Sequence, residues 1–324
     1  MTTMRAVVYE RFGAPEVLEL REVARPEPGP RDVIVRVRAT TVTAAESAMR
    51  QGLPLWGRAI IGFFGPRRRF RTLGTELAGE VAAVGREVSR FREGDEVFGF
   101  AGFDIGANAD FMRLPEKASL ARKPENLSFA DAAAAVDGPT TAMFFLRDKG
   151  ALRPGDRVLV IGASGSVGSY AVQLAKHLGA AEVTAVCSGR NAQLVRELGA
   201  DDVIDYTQHD YSATGRTWDV IFDTVGKSSF GHARRALSRG GRFLPTAIGP
   251  VNALQALVTP LLGGKRVVGG MSVEKNDALV YVRDLLERGA LRVVTDRRFA
   301  LEDIVEAHRL VDTGHKRGNV SITL

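Results

Sequence analysis

The chain has 324 residues, of which 45% are hydrophobic and 25% charged, enough for two domains of about 100–200 residues each and incompatible with wholesale disorder. A single cysteine, Cys187, excludes a disulfide framework and any cysteine-rich zinc lobe. The formal net charge of +6 comes without a nucleic-acid-reading motif, so nucleic acid is not expected and the basicity suits a solvated surface or an anionic ligand. The N-terminus carries Arg5, Glu10 and Arg11 with no long apolar run, and the apolar stretch Trp56–Gly65 is interrupted by Arg58. It is about half the ~20 residues that a membrane span needs. These features lead us to expect a cytoplasmic protein with no stable membrane insertion.

The first third reads as β structure. Arg5–Tyr9, Leu18–Val23 and Val33–Thr41 are short runs rich in Val, Leu and Thr, separated by Phe12-Gly13-Ala14-Pro15 and by the proline-rich stretch from Pro26 to Pro30. Alternation of Val33, Val35 and Val37 with polar neighbours predicts a half-buried strand. Glu76–Val84 and Glu96–Phe100 continue the pattern, and Gly74, Gly79, Gly85, Gly94 and Gly99 suit a small barrel with sharp corners. Ser128-Phe129-Ala130-Asp131 has capping-box spacing and opens an Ala-rich helix, which Asp137-Gly138-Pro139 is expected to break. From Asp156 onward strands alternate with helices. Val158–Ile161, Val183–Val186, Val203–Ile204, Val220–Phe222, Arg242–Leu244 and Arg266–Val268 are strands; Val167–Leu178 and Asn191–Leu198 are helices ended by Gly179 and Gly199. Near-continuous apolar strands of this kind predict a parallel sheet covered on both faces. Two more helices, Ala278–Arg288 and Glu302–Asp312, precede a last strand, Asn319–Leu324, expected to return to the first domain.

Val158–Ile161 runs into Gly162-Ala163-Ser164-Gly165-Ser166-Val167-Gly168 and then into a helix. That order predicts a dinucleotide site at Ser164, Gly165, Ser166 and Val167. Gly165 admits the backbone to a diphosphate, Gly168 lets the helix pack close to the sheet, and the helix N-terminus attracts the phosphates. An NAD site places Asp or Glu about 20 residues on to hold the ribose 2′-hydroxyl. Cys187-Ser188-Gly189-Arg190-Asn191 stands there with no carboxylate, so Ser188 and Arg190 are expected to hold a 2′-phosphate and NADPH is the expected cofactor. The alternative for Arg190 is a solvated residue at a helix start.

Taken with Arg5-Ala6-Val7-Val8, with Gly74-Thr75-Glu76-Leu77-Ala78-Gly79 through Gly94-Asp95-Glu96-Val97, and with Asp219–Gly226, this turn makes the chain resemble the medium-chain dehydrogenase/reductase superfamily. It is most similar to the zinc-free quinone oxidoreductase, or zeta-crystallin-like, branch. The resemblance implies an α/β protein: a GroES-like β-barrel catalytic domain (residues 1–125 and 274–324), a Rossmann doubly wound parallel-sheet domain (126–273), and a cleft between them. Zinc-dependent relatives place Cys and His where this chain has Thr43 and Thr75, beside Glu46 and Glu76, and no catalytic zinc is expected. The implied activity is NADPH-dependent hydride transfer to a quinone or an α,β-unsaturated carbonyl.

Quinone reductases often carry an Asn and a nearby Tyr facing the nicotinamide; Thr43 and Ala48 fall in those positions. Thr43 is then either a donor to the substrate oxygen or strand filler. The resemblance also implies Thr140 near the nicotinamide, Tyr206 near the adenosine phosphate, and Val225, Thr246, Ala247, Ile248, Gly269, Gly270 and Met271 along strand ends beside the cofactor. Each has a packing role as its alternative. Trp56, Phe63 and Phe64, in the segment 54–66, are expected to wall the substrate pocket; packing at a domain or dimer surface, or contact with lipid, are the other readings. The family suggests a homodimer near Val267–Gly270. Competing functions are an enoyl-thioester reductase, which would want a tyrosine acid in the first domain, where Tyr9 in the first strand is expected to be the only tyrosine, and a non-catalytic NADPH-binding sensor or crystallin-like protein.

Overall fold

The computed structural model describes residues 2–247 and 249–324. In chain order the strands are β1 (Thr3–Val8), β2 (Glu19–Ala24), β3 (Asp32–Thr41), β4 (Glu76–Val84), β5 (Glu96–Phe100), β6 (Phe111–Pro115), β7 (Ser119–Arg122), β8 (Arg157–Ile161), β9 (Glu182–Cys187), β10 (Asp202–Asp205), β11 (Trp218–Asp223), β12 (Leu237–Pro245), β13 (Arg266–Val267), β14 (Thr295–Ala300) and β15 (Asn319–Thr323). The helices are α1 (Ala44–Gln51), α2 (Arg58–Ile61), α3 (Phe129–Ala134), α4 (Asp137–Met143), α5 (Ser166–His177), α6 (Ala192–Glu197), α7 (Phe230–Ala236), α8 (Pro250–Val258), α9 (Asn276–Glu287) and α10 (Ile304–Asp312). No helix among the described residues is long and apolar enough to cross a membrane.

The chain forms two compact units. One takes everything up to Asp137 with Glu274–Glu287 and Thr295–Leu324; the other takes Gly138–Val273 with Arg288–Val294. In the first, a seven-stranded sheet runs β14-β15-β3-β4-β5-β7 with β6 also on β3, and β1-β2 form a separate antiparallel pair. Val33, Val35 and Val37 are buried as the alternation predicts, but so is Ile34, so both faces of β3 are covered along this stretch, which is paired with β4 on one edge and β6 on the other. The last strand, β15, lies antiparallel to β3 with Ser321 opposite Thr41, as the sequence suggested. Helix α3 packs on β3, β4 and β15; its run of buried alanines permits that close approach.

Ser128 caps α3 by accepting from the Asp131 N–H at 3.2 Å. The expected break is displaced. Helix α3 ends at Ala134, and Asp137-Gly138-Pro139 opens a new helix instead of stopping the old one. Proline in a first helical turn loses no hydrogen bond, because its amide would have had no intrahelical partner there.

In the second unit a six-stranded sheet has order β10-β9-β8-β11-β12-β13, parallel throughout. Numbered from β8, that is 3-2-1-4-5-6, the doubly wound dinucleotide-binding order. Val158, Leu159, Val160, Val220, Ile221 and Phe222 are all fully buried, as strands covered on both faces must be. Trp218 anchors the core and donates its Nε1–H to Thr184 Oγ1 at 3.0 Å.

Candidate active site

The strand order reverses between β8 and β11, and ligands in such sheets bind at the strand ends there. Gly162 follows β8 with φ +77°, a conformation that favours glycine, and a Cβ on it would meet Val225 at 2.6 Å. A Cβ on Gly168 would lie 2.1 Å from the Gly162 carbonyl oxygen, so helix and turn touch backbone to backbone. Gly165 differs: the one atom near its Cβ position is the Gly162 oxygen at 3.3 Å. Gly165 is the N-cap of α5 and offers no side-chain cap to the first-turn amides. Open space over Gly165, with uncapped amides beneath, fits a diphosphate.

The neighbouring strand ends close on this turn. Ser188 and Arg190 follow β9, and the buried Asn191 between α6 and β9 donates its amide to Ser164 Oγ at 3.0 Å and Ser188 Oγ at 3.2 Å. The glycine turn and the β9 end are thereby tied together. Asn191 Oδ1 is buried with no partner among the described residues, an acceptor left over for a donor such as a ribose hydroxyl. Sequence reasoning missed Asn191, whose only local signal is a Ser three residues before it at a strand end. Asp205 of β10 lies beside Gly189, and its Oδ1 accepts the Thr207 amide and hydroxyl at 2.9 and 2.8 Å, bonds that hold it below the usual carboxylate range. Tyr206 is drawn in by its N–H to the Cys187 carbonyl, its ring half exposed. Thr246 bonds the Asp223 carbonyl through both N–H and hydroxyl. Asp223, fully buried, accepts the amides of Val225, Gly226 and Ser228 at 3.1, 2.9 and 2.7 Å. It fixes the β11 turn and was also not anticipated.

Ala247 follows Thr246, and Ile248 lies outside the described residues. Gly269, Gly270 and Met271 follow β13 at the sheet edge, with the Gly270 Cβ position 2.8 Å from the Phe144 ring. Thr140 is fully buried within α4. Burial pushes the Cys187 thiol up to about 11, so it is neutral and unreactive near neutral pH.

The first unit gathers side chains instead. Thr43 is the N-cap of α1, half-buried, its Oγ1 accepting from the Glu46 N–H at 3.1 Å while its own N–H donates to Glu46 Oε2 at 3.1 Å. The reciprocal pair is a complete capping box. Glu46 does more than cap: its Oε1 accepts the Thr75 N–H at 2.8 Å. One fully buried carboxyl therefore bridges the two threonines that occupy the zinc-ligand positions of the zinc-dependent relatives. Burial, with the neighbouring Glu76 charge adding to it, pushes Glu46 up to about 8 against the pull of the amides.

Glu76 accepts from the Thr41 hydroxyl and from the Asp137 N–H. It is pushed up to about 7 by burial and then by the Asp137 carboxylate, which pairs with buried Lys275 at 2.9 Å. Among the described residues no group of three or more His, Cys, Asp or Glu is arranged to hold a metal ion.

Downstream of α1, Trp56, Phe63 and Phe64 are exposed. Tyr9 is buried just past β1 and is not the unit's sole tyrosine as expected, because α9, which carries Tyr281, belongs to the same unit. A depression of about 620 Å³ near Met4, Phe103 and Arg113 is lined by none of Thr43, Glu46, Thr75 or Glu76.

A parallel sheet of this order with a glycine turn on its first strand, in a chain that also carries the antiparallel unit, defines a medium-chain type of dehydrogenase/reductase. Residues 29–125 match the alcohol dehydrogenase GroES-like domain and residues 198–321 the zinc-binding dehydrogenase domain. The chain is 32% identical to the chloroplastic quinone-oxidoreductase QR1 of Triphysaria versicolor over 98% of both chains. It is 31% identical to a chloroplastic NADPH-dependent alkenal/one oxidoreductase of Arabidopsis thaliana over 98% of this chain and 79% of the relative. The solved quinone oxidoreductase of Coxiella burnetii superposes with a TM-score of 0.90 at 28% identity, covering 100% of each. The chain belongs to the medium-chain dehydrogenase/reductase superfamily, in its quinone oxidoreductase branch, and is an oxidoreductase.

Proposed function

We propose that the protein uses NADPH to reduce a quinone or an α,β-unsaturated carbonyl. Full-length similarity to relatives named for quinone and for alkenal/one reduction supports the acceptor class. The observation that carries the cofactor choice is the β9 end. It presents Ser188 and Arg190 in place of a carboxylate and is tied to the glycine turn through Asn191. When bound, the reduced nicotinamide supplies a hydride.

The chain's own groups supply placement. Gly165 and the first amides of α5 hold the diphosphate, and Ser164, Ser166 and Val167 shape the turn. Ser188 and Arg190 take the 2′-phosphate, Arg190 as a charged fork. Tyr206 flanks the adenosine end; Thr140, Val225, Thr246, Ala247 and Gly269–Met271 border the nicotinamide half. Because Thr43 Oγ1 already accepts the Glu46 amide, its hydroxyl proton is left to donate. A hydrogen bond from it to the acceptor oxygen strengthens as negative charge develops there. We place the protein in the cytoplasm as a homodimer. The unpaired outer edge of β13 and the exposed stripe Val251, Leu254, Leu257 and Leu261 on and after α8 support a contact there.

The test is turnover of 1,4-benzoquinone, a 2-alkenal and a crotonyl thioester with NADPH and with NADH, for wild type and Arg190→Asp. We expect consumption of the first two with NADPH, and a KM for NADPH raised at least tenfold in the variant with NADH little affected. NADPH binding without turnover of any acceptor would overturn the reading in favour of a sensor, and preference for the thioester in favour of an enoyl reductase.

A further inference from the structure

From Ser47 to Thr75 the chain contains no Asp or Glu but six arginines, at 50, 58, 67, 68, 69 and 71. Two pair with carboxylates, Arg50 with Asp312 at 2.5 Å and Arg71 with Glu10 at 3.0 Å, while Arg58 is held by the Gly52 carbonyl and the Phe12 ring. Arg67, Arg68 and Arg69 are exposed and none forms an ion pair among the described residues; Arg67 donates to the Ala59 carbonyl at 3.0 Å and Arg69 lies over the Phe70 ring, contacts that leave their charge uncompensated.

The tip that precedes them is built to stay out. The Arg67 N–H donates to the Ile61 carbonyl at 2.7 Å and closes the loop. Ile61, Pro66 and Phe70 are buried and anchor its base. Gly62 has φ +140°, and a Cβ there would lie 2.0 Å from the Gly65 oxygen; a Cβ on Gly65 would in turn lie 2.5 Å from the Glu10 carbonyl oxygen. Held this way, Phe64 is 100% exposed, Phe63 65% and Trp56 63%, with Leu55 and Ile60 also more than half exposed. Aromatic side chains fixed in water are costly, and a contiguous patch of them marks an interaction surface.

The partner follows from the charge. An aromatic tip followed at once by unpaired arginines matches the bilayer interface, where rings sit among headgroups and cations meet anionic lipids. A second copy docked by the same patch would set arginines against arginines. A wall for a small apolar acceptor has no use for three unpaired cations. We propose that the segment from Leu55 to Arg69 docks the protein peripherally on anionic membrane surfaces. This goes beyond the reductase reading, and it is tested by binding alone, without cofactor or acceptor, so the two stand or fall separately.

Flotation with vesicles of phosphatidylcholine, and of phosphatidylcholine with about one-third phosphatidylglycerol, measures the partition. Trp56 reports insertion by a blue shift, since the other tryptophan, Trp218, is already fully buried. We expect binding to the anionic vesicles that weakens as salt rises. Phe63→Ser/Phe64→Ser should lose at least about tenfold in partition and most of the blue shift. Arg67→Gln/Arg68→Gln/Arg69→Gln should lose roughly 100-fold. Arg234→Gln/Arg235→Gln/Arg239→Gln, the same charge change on the other unit, should stay close to wild type. Thermal unfolding checks each fold, and if the Phe variant fails it the arginine variant decides. Absence of vesicle binding, or equal losses from the two arginine triples, overturns the proposal. So does a dimer that the Phe substitutions break while vesicles bind neither form.

Discussion

The two places where this chain gathers its chemistry, one in each unit, are made of different material. Around Gly162–Gly168 the working groups are backbone amides, and the side chains have been removed to let them be approached. Around Thr43 the working groups are side chains, and buried carboxyls at Glu46 and Glu76 order the backbone about them. A backbone cradle has no titratable part and fails only by steric change. A carboxyl bridge tolerates small shape changes but answers to pH. Both build a preorganised site, and they should break under different stresses.

Steric change in the glycine turn should have the largest effect. Ala at position 168 puts a methyl group 2.1 Å from the Gly162 oxygen and 2.8 Å from Ala163 Cα, both backbone atoms that cannot swing away. Gly168→Ala is expected to cost about 3 kcal/mol in urea unfolding and to abolish measurable NADPH binding by fluorescence titration. Gly165→Ala is the control. With only the Gly162 oxygen nearby, at 3.3 Å, it should keep close to wild-type stability while still weakening NADPH, because the methyl group enters the space for the diphosphate. Equal stability losses in the two variants would show that the turn is merely tight and does not reserve room for a ligand.

The carboxyl bridge should break with pH. Glu46 is raised from 4.5 to about 8 by burial, and Glu76 moves the same way, to about 7. Between the unfolded and folded values the native chain keeps protons that the unfolded chain has released. Stability is therefore full at low pH and drains away as pH rises through the folded values. In thermal melts from about pH 5 to about pH 9 the wild type should lose stability steadily over that window. Glu46→Gln cannot ionise but offers one acceptor oxygen to two amides. It should start about 1–2 kcal/mol less stable at the acid end and close that gap toward the alkaline end. Parallel melting curves for the two proteins would remove Glu46 from this account.

The same contrast explains what could be read from the amino acids alone. The glycine turn was legible because few residues other than glycine satisfy the positive φ at Gly162 or fit at Gly168, where a Cβ would lie 2.1 Å from the Gly162 oxygen, so the requirement is written locally at these two positions. The parallel sheet followed from apolar runs that need cover on both faces. Pro139 misled for the opposite reason: proline breaks a helix interior but suits a first turn, and which turn it occupies depends on where α3 ends. Glu46 was visible only as a neighbour of a zinc-ligand position. Its bridging role depends on bringing Thr43 and Thr75 together across 32 positions of chain, and no local pattern encodes that closure. Asn191 was hidden for a similar reason, since its bond to Ser164 spans 27 positions.

Asn191 also gives the smallest and most discriminating effect. Truncating it loses the bonds to Ser164 and Ser188 but also removes a buried carbonyl oxygen that has no partner among the described residues. These contributions oppose each other, so Asn191→Ala should change stability by less than about 1 kcal/mol. The loss should appear in the cofactor instead: KM for NADPH up a few-fold with kcat nearly unchanged, because both serines lose their tether and no group at the reacting atoms is touched. Asn191→Asp keeps the shape but sets a negative charge beside Ser188. It should raise KM for NADPH more than for NADH, since only the former brings a 2′-phosphate to that strand end. If both cofactors weakened alike, the β9 end would be a scaffold for the glycine turn and would not select the 2′-phosphate.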